Sequence, residues 1–106
     1  MSEHNRHSID IKAIDRNLVV ALLHKHLPEK TRVWVFGSRA KGTARKYSDL
    51  DLLIDIGEKL PEQTKTELAV DFEESELPYK VDVVDWNNIS DEFKEIIETD
   101  RIKLDY

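Results

Sequence analysis

Two aspartates separated by a single residue are the feature of this 106-residue chain that most suggests chemistry. Asp49 and Asp51 open the short apolar stretch 49–56, which a loop and Gly57 bound, as is typical of a β-strand. Alternate side chains of a strand share a face, so both carboxylates are expected to point the same way. They would begin roughly 7 Å apart, close enough to converge on cations held about 3.5 to 4 Å from each other. The pair therefore predicts a divalent metal site.

A third carboxylate, Asp82, lies in the apolar stretch 80–85, which also reads as a strand. If the two strands are neighbours, only about 4.8 Å separates them, and Asp82 can join the pair. Three such acids would repel one another unless a cation neutralised them. Oxygen ligands suit Mg²⁺, and we expect two ions that complete their coordination with water and substrate phosphates. Asp55 and Asp85 are expected to lie at the surface.

A phosphate-binding segment is predicted where the strand 32–36 ends. Gly37 permits close approach of a ligand to the backbone, and Ser38 offers a hydroxyl and an N–H group. Arg39 is the basic residue that we expect to contact phosphate. The other basic side chains of this segment are expected to be solvated: Lys41, Arg45 and Lys46.

The remaining pattern predicts the elements that hold these residues. An amphipathic helix is expected from Asp10, as N-cap, to Leu27, and a second helix from Pro61 to Leu77. Ser90 or Asp91 should cap a last helix that turns Phe93, Ile96 and Ile97 inward, ahead of a charged tail over 100–106. Residues 38–48 are expected to form a loop with at most a turn of helix.

These elements predict an α+β, α/β-like fold, in which about three to four helices pack on a small mixed β-sheet. One domain is expected over residues 1–106, with 1–8 frayed. A core of this size favours an open cleft over an enclosed substrate cavity.

Composition narrows the classes of partner. The net charge of -6 disfavours binding to duplex DNA, because Lys and Arg neutralise phosphates in such complexes. The absence of cysteine suits the cytoplasm. Without a run of about 20 apolar residues, no membrane span is expected.

The motif as a whole resembles the signature of the polymerase-beta-like nucleotidyltransferases. Gly37-Ser38 is followed, after ten residues, by Asp49-Leu50-Asp51, and Asp82 stands where that family has its third acid. Background residue usage would produce Gly-Ser-x10-Asp-x-Asp in roughly one chain of this length in a thousand. The resemblance covers about residues 32–85 and implies the nucleotidyltransferase fold.

The small size resembles the minimal nucleotidyltransferase group, whose members often pair with a helical HEPN protein as antitoxin and toxin. The resemblance implies transfer of AMP from ATP to a tyrosine of that partner, with Mg²⁺ as cofactor. It implies that Asp49 and Asp51 bind the metal ions and that Asp82 is both metal ligand and base. Gly37 and Ser38 would hold the β and γ phosphates.

Two other functions remain open. Larger relatives carry an added helical domain that helps to hold nucleotide and acceptor, and we expect this chain to be too short for one. The chain could therefore inhibit a toxin by binding alone. Modification of a small antibiotic is a further possibility, but it requires an acceptor pocket that the sequence does not indicate.

Overall fold

A computed structural model describes residues 8–106. The predictions for residues 1–7, which include most of the expected frayed terminus, lie outside this range. In chain order the elements are α1 (Ala13–His26), β1 (Arg32–Phe36), α2 (Ser38–Lys41), β2 (Leu50–Asp55), α3 (Glu62–Glu73), β3 (Val81–Asp85), α4 (Asp91–Asp100) and β4 (Ile102–Lys103), with a 3-10 turn over Trp86–Asn88.

The four strands form one mixed sheet in the order β3-β2-β1-β4. Strand β2 is antiparallel to β1 and parallel to β3, and β4 pairs antiparallel with the other edge of β1. The predicted mixed sheet with helices packed against it is therefore confirmed. Because β1 and β2 run in opposite directions, the end of β1 lies beside the start of β2.

The sheet carries a packed layer on each face. On one face Leu50, Leu52 and Ile54 are fully buried in a core to which α1 and α3 contribute. On the opposite face, by the alternation of strand side chains, Leu53 is also fully buried. Helix α4 covers that face, where Phe93 meets Phe36 edge to face with ring centres 6.3 Å apart. Asp51 lies on this same face, near the start of β2.

The first helix begins two residues later than predicted, and the expectation that Asp10 is its N-cap is wrong. Lys12 occupies the N-cap position. The backbone of Asp10 is held instead by Arg39, whose carbonyl accepts from Asp10 N at 2.8 Å and whose guanidinium donates to Asp10 O at 2.9 Å. These bonds keep the backbone of Asp10 away from the helix.

The second helix ends at Glu73, four residues before the predicted end. The hydroxyl of Ser75 donates to the carbonyl of Phe72 at 2.6 Å and ends the helix there. Leu77 therefore lies in the connection to β3 and is half-buried.

The last helix is capped as predicted, since Ser90 Oγ accepts from Phe93 N at 3.1 Å. Its inward face differs at one position, because Ile97 is buried while Ile96 is 65% exposed. Residues four apart share a helix face, so packing of Phe93 on Phe36 turns Ile97 inward and Ile96 outward.

The charged tail contains a short strand that the sequence pattern did not predict. Lys103 pairs with Trp34, and Leu104, 2% exposed, donates its N–H to Val33 O at 2.9 Å. The guanidinium of Arg101 lies 4.4 Å from the ring centre of Trp34, which fixes the tail on β1. Within residues 8–106, the helices are all too short or too polar to cross a bilayer.

Candidate active site

Two of the predicted acidic residues face each other across neighbouring strands. In the parallel register of β2 and β3, Asp51 pairs with Asp82. Asp49 lies two residues before Asp51, immediately ahead of β2, and is exposed. The charges of Asp49 and Asp82 both act on Asp51, so the structure brings the three carboxylates near one another at one edge of the sheet.

The charges of this group act on Asp51. Burial raises the pKa of Asp51 from 3.8 to about 6, and the negative charges of Asp82 and then of Asp49 contribute to the same rise. A divalent cation would reverse the effect of these charges, and a set of carboxylate oxygens suits Mg²⁺. Within residues 8–106, however, no three acidic or histidine side chains already stand in the arrangement of a complete metal site.

Gly37 lies directly against the Asp51 carboxylate. Phe36 pairs with Asp51 in the antiparallel register, so the chain leaves β1 next to the acid. The backbone of Gly37 has φ +74°, a conformation that other residues adopt rarely, and an added Cβ would overlap Oδ2 of Asp51 and stand 3.2 Å from its Cγ. Only glycine fits between the strand end and this carboxylate.

Ser38 starts the four-residue helix α2, which turns the chain immediately after Gly37. The N–H groups of Ala40 and Lys41 donate to Gly37 O at 3.0 and 3.1 Å, and Thr43 N donates to Ser38 O at 3.2 Å. These bonds fix the turn that contains Ser38. This small, half-buried hydroxyl residue directly follows the glycine that touches Asp51.

The structure gives Arg39 a different environment from the one predicted. Arg39 is only 5% exposed, and its guanidinium donates to Ser48 O at 3.0 and 2.9 Å. It also stacks 4.0 Å from the ring centre of Tyr79. The expectation of a phosphate contact is therefore replaced by a role in fixing the backbone just before Asp49. The neighbouring basic side chains are exposed as predicted: Lys41, Arg45 and Lys46.

The prediction that Asp55 and Asp85 lie at the surface is wrong, since each is only 4% exposed. Asp55 accepts from Gly57 N at 2.8 Å, and Asp85 accepts from Asn87 N at 3.0 Å. An aspartate that binds the N–H two residues later is a common turn former. The position of both residues at the very end of a strand was the signal available in the sequence.

These two aspartates bind the far end of the sheet together. Asp85 also accepts from Leu60 N at 2.8 Å, while Asp55 accepts from the side chain of Asn87 at 2.8 Å and from Arg32 at 2.5 Å. Burial alone would raise the pKa of Asp55, but the hydrogen bonds outweigh it and hold that pKa below its usual value. This network lies at the opposite end of β2 from Asp51.

An open cleft of about 650 Å³ adjoins the acidic edge. Asp49 and Asp82 line one side of it, and Phe72 of α3 contributes to its apolar wall. The open form agrees with the expectation from chain length. The residues that form the cleft come from three distant parts of the sequence, so no local motif indicated it: Tyr47 with Asp49, residues of α3 and residues 77–82.

Known proteins are similar to this chain in both sequence and fold. A nucleotidyltransferase domain family matches residues 16–104. A protein of Haemophilus influenzae named probable protein adenylyltransferase MntA is 46% identical over 89 residues, covering 84% of this chain and 77% of that protein.

Solved structures give the same result. A crystal structure of a toxin–antitoxin with AMP-PNP superposes with a TM-score of 0.71 at 27% identity, covering 84% of this chain and 71% of that chain. A structure described as a minimal nucleotidyltransferase superposes with a TM-score of 0.65 at 32% identity, covering 86% of this chain and 90% of that chain. Together with the family match over most of its length, these likenesses show that the chain belongs to the nucleotidyltransferase domain family.

Proposed function

We propose that this nucleotidyltransferase is a protein adenylyltransferase, which uses Mg²⁺ to transfer AMP from ATP to a hydroxyl of a partner protein. The observation that carries the proposal is the contact of Asp51 with Gly37 while Asp82 lies opposite on β3. That contact sets a small-residue phosphate segment beside a group of carboxylates. The likeness to the Haemophilus influenzae protein named as an adenylyltransferase supports the same activity.

The residues of the site divide into two functions. Asp49, Asp51 and Asp82 would hold Mg²⁺ through oxygen atoms, and the ions, when bound, offset the charge that develops on the phosphates. Gly37 and Ser38 would bind the β and γ phosphates through the backbone N–H and the hydroxyl. Asp82 would accept the proton of the attacking hydroxyl. Most of the catalysis would come from positioning of the reactants and from electrostatic stabilisation.

The partner proposed for this activity is a HEPN toxin, which the transfer of AMP would neutralise. One of the solved structures similar to this chain is a toxin–antitoxin that carries AMP-PNP, and this likeness supports both the nucleotide and the kind of partner. The cytoplasmic location expected from the cysteine-free sequence is part of the same proposal.

The test uses the whole chain, labelled ATP, Mg²⁺ and the protein encoded beside it. Wild type should label the neighbour, and the double variant Asp49→Asn, Asp51→Asn should not, because it removes two carboxylate ligands. The matched control, Glu29→Gln with Glu58→Gln, removes the same charge from exposed positions away from the site and should label normally.

Label transfer by the aspartate double variant at the wild-type rate would reject the enzymatic proposal. Neutralisation of the toxin by that variant without any labelling would instead support inhibition by binding alone. Labelling and neutralisation are measured on the same preparation of the partner. The two results together therefore distinguish transfer of AMP from inhibition by binding.

A further inference from the structure

Tyr47 carries an exposed phenol beside the acidic edge. The residue is 64% exposed, and it lines the open cleft together with Asp49 and Asp82. Tyr47 precedes Asp49 by two residues, so their Cα atoms lie within about 7 Å of each other. A hydroxyl group therefore stands next to the carboxylates that the proposed function assigns to Mg²⁺.

The other two tyrosines of the chain have hydroxyl groups that are already bonded. Tyr79 donates to Asp15 Oδ2 at 3.0 Å, and Tyr106 donates to the carbonyl of Thr31 at 2.7 Å. Both rings are half-buried, and burial raises the pKa of each phenol. Within residues 8–106, Tyr47 is thus the tyrosine whose hydroxyl makes no hydrogen bond to the protein.

The backbone around Tyr47 is fixed, while its ring is held only weakly. The guanidinium of Arg39 donates to the carbonyls on both sides, to Ser48 O at 2.9 Å and to Lys46 O at 3.3 Å. The ammonium group of Lys46 lies 5.3 Å from the centre of the Tyr47 ring. An exposed contact of this kind contributes about 0.5 to 1 kcal/mol. The phenol can therefore change rotamer rapidly from a fixed point on the chain.

The strand order shows from which side an acceptor must attack. Strand β2 lies between β1 and β3, so Gly37 is on one side of Asp51 and Asp82 is on the other. In an in-line displacement the attacking oxygen approaches the phosphorus opposite the leaving group. Since the proposed function places the departing phosphates at Gly37, the attacking oxygen arrives from the side of Asp82. Tyr47 lines the cleft on that side.

We propose that Tyr47 is a self-modification site, to which the chain transfers AMP from its own bound ATP in the absence of a partner. The inference rests on the proposed function and adds an acceptor within this chain. Because the acceptor and the nucleotide belong to one complex, the transfer avoids the entropy cost of bringing two proteins together.

The transfer is a single displacement at the α phosphorus. The phenol oxygen of Tyr47 forms a bond to that phosphorus, and the bond from the phosphorus to the oxygen that bridges it to the β phosphorus breaks. The bridging oxygen keeps the electron pair and leaves as part of pyrophosphate. The phenol proton passes to Asp82, as in the proposed transfer to a partner.

The test incubates the whole chain alone with Mg²⁺ and ATP labelled at the α phosphate. Wild type should gain the mass of one AMP group, and peptide mapping should place that group on Tyr47. Tyr47→Phe keeps the ring and removes only the oxygen, so it should stay unlabelled. The matched control, Tyr106→Phe, removes the hydroxyl that binds Thr31 beside the start of β1, at the opposite end of that strand from Gly37, and should label as wild type does. Label mapped to another residue, or wild-type labelling of Tyr47→Phe, would overturn the proposal.

A mixed reaction tests whether the transfer occurs within one chain. A tagged copy with Asp49→Asn and Asp51→Asn retains Tyr47 but lacks two of the proposed metal ligands. Incubated with wild type, the tagged copy should stay unlabelled, and its labelling to the same extent as wild type would show transfer between chains and contradict the proposal. Wild type that labels the partner and never itself would overturn this inference alone. Wild type that labels neither would reject the proposed function as well.

Discussion

The Cα of Gly37 and the carboxylate of Asp51 occupy adjoining space at the junction of β1 and β2. An added Cβ on Gly37 would overlap Asp51 Oδ2, and the backbone there has φ +74°. The contact with Asp51 thus requires glycine at position 37 independently of the proposed phosphate binding. The two halves of the motif, ten residues apart in sequence, form one packed unit.

Gly37→Ala should abolish AMP transfer as well as lower stability. The backbone conformation of Gly37, φ +74° and ψ -155°, alone costs about 1 to 3 kcal/mol for a residue with a Cβ, and the overlap must also displace the Asp51 carboxylate. Steady-state labelling of the partner and thermal unfolding measure the two effects.

Gly57→Ala is the control, since Gly57 has φ +91° but an added Cβ meets nothing within 4 Å. We expect this variant to lose comparable stability and to keep its transfer rate. Equal loss of transfer in both variants would show that backbone strain, and not the Asp51 contact, explains the effect.

Asp51 should reduce the stability of the metal-free protein at neutral pH. Its folded pKa of about 6 exceeds the unfolded value of 3.8, so the folded state favours the protonated form. The stability associated with this group is fully present below pH 3.8 and is lost as the pH rises to about 6.

Asp51→Asn removes the loss of stability that ionisation of Asp51 causes. With EDTA present at pH 7.5, we expect the variant to be more stable by about 1 kcal/mol after allowance for solvent screening, which raises Tm by about 4 to 8 °C. The difference should shrink as the pH falls from 6 toward 3.8. A difference that is the same at both ends of this range would contradict the explanation.

Arg39 should act on the transfer rate through the backbone before Asp49 and not through nucleotide affinity. Arg39→Met removes the donors to Ser48 O and Asp10 O, which leaves two part-buried carbonyls without these charged donors at about 1 to 3 kcal/mol. We expect kcat to fall about tenfold, while the affinity for the Mg²⁺-bound ATP analogue stays within about twofold.

The exposed Arg45 gives the matched control, and Arg45→Met should change neither constant. Both variants are measured at a temperature at which each is folded by circular dichroism. Were Arg39 a phosphate contact, its replacement would weaken analogue binding and leave stability largely unaffected, and that result would reject the positioning role.

Local patterns predicted the parts of this molecule that depend on nearby residues. Alternation along 49–56 gave the shared face of Asp49 and Asp51, and the parity of Asp82 placed it on that face once β2 and β3 were taken as neighbours. The cap at Ser90 followed from residue type alone. The alternation and the cap each use a periodicity or a bond that spans at most four residues, whereas the place of Asp82 depended on the assumed pairing of β2 with β3.

Long-range packing decided what sequence reasoning missed. The type of Arg39 suggested phosphate binding, but its stacking on Tyr79, 40 positions later, buried it. Ile96 and Ile97 are equally apolar, and only the contact of Phe93 with Phe36 determines which one faces inward. The two-residue strand β4 is too short to carry a pattern, and pairing with β1 defines it.

Asp55 should be a structural residue whose loss leaves the reaction intact. Asp55→Asn replaces an acceptor of three hydrogen bonds, from Gly57, Asn87 and Arg32, with a group that is half donor. We expect the free energy of unfolding at pH 7 to fall by about 2 to 3 kcal/mol. Asp55 and Asp51 lie four residues apart along β2, roughly 13 Å, so the transfer rate measured below the new Tm should not change.

The pH dependence of this variant has a definite sign. Because the folded pKa of Asp55 is lowered, the stability it adds is present above its unfolded value and is lost as the pH falls through the folded pKa. Chemical denaturation should therefore show the gap between wild type and Asp55→Asn narrowing below about pH 4, whereas the exposed control Glu58→Gln should match wild type throughout. A gap that persists unchanged in acid would mean that packing, and not the ionised carboxylate, stabilises the far end of the sheet.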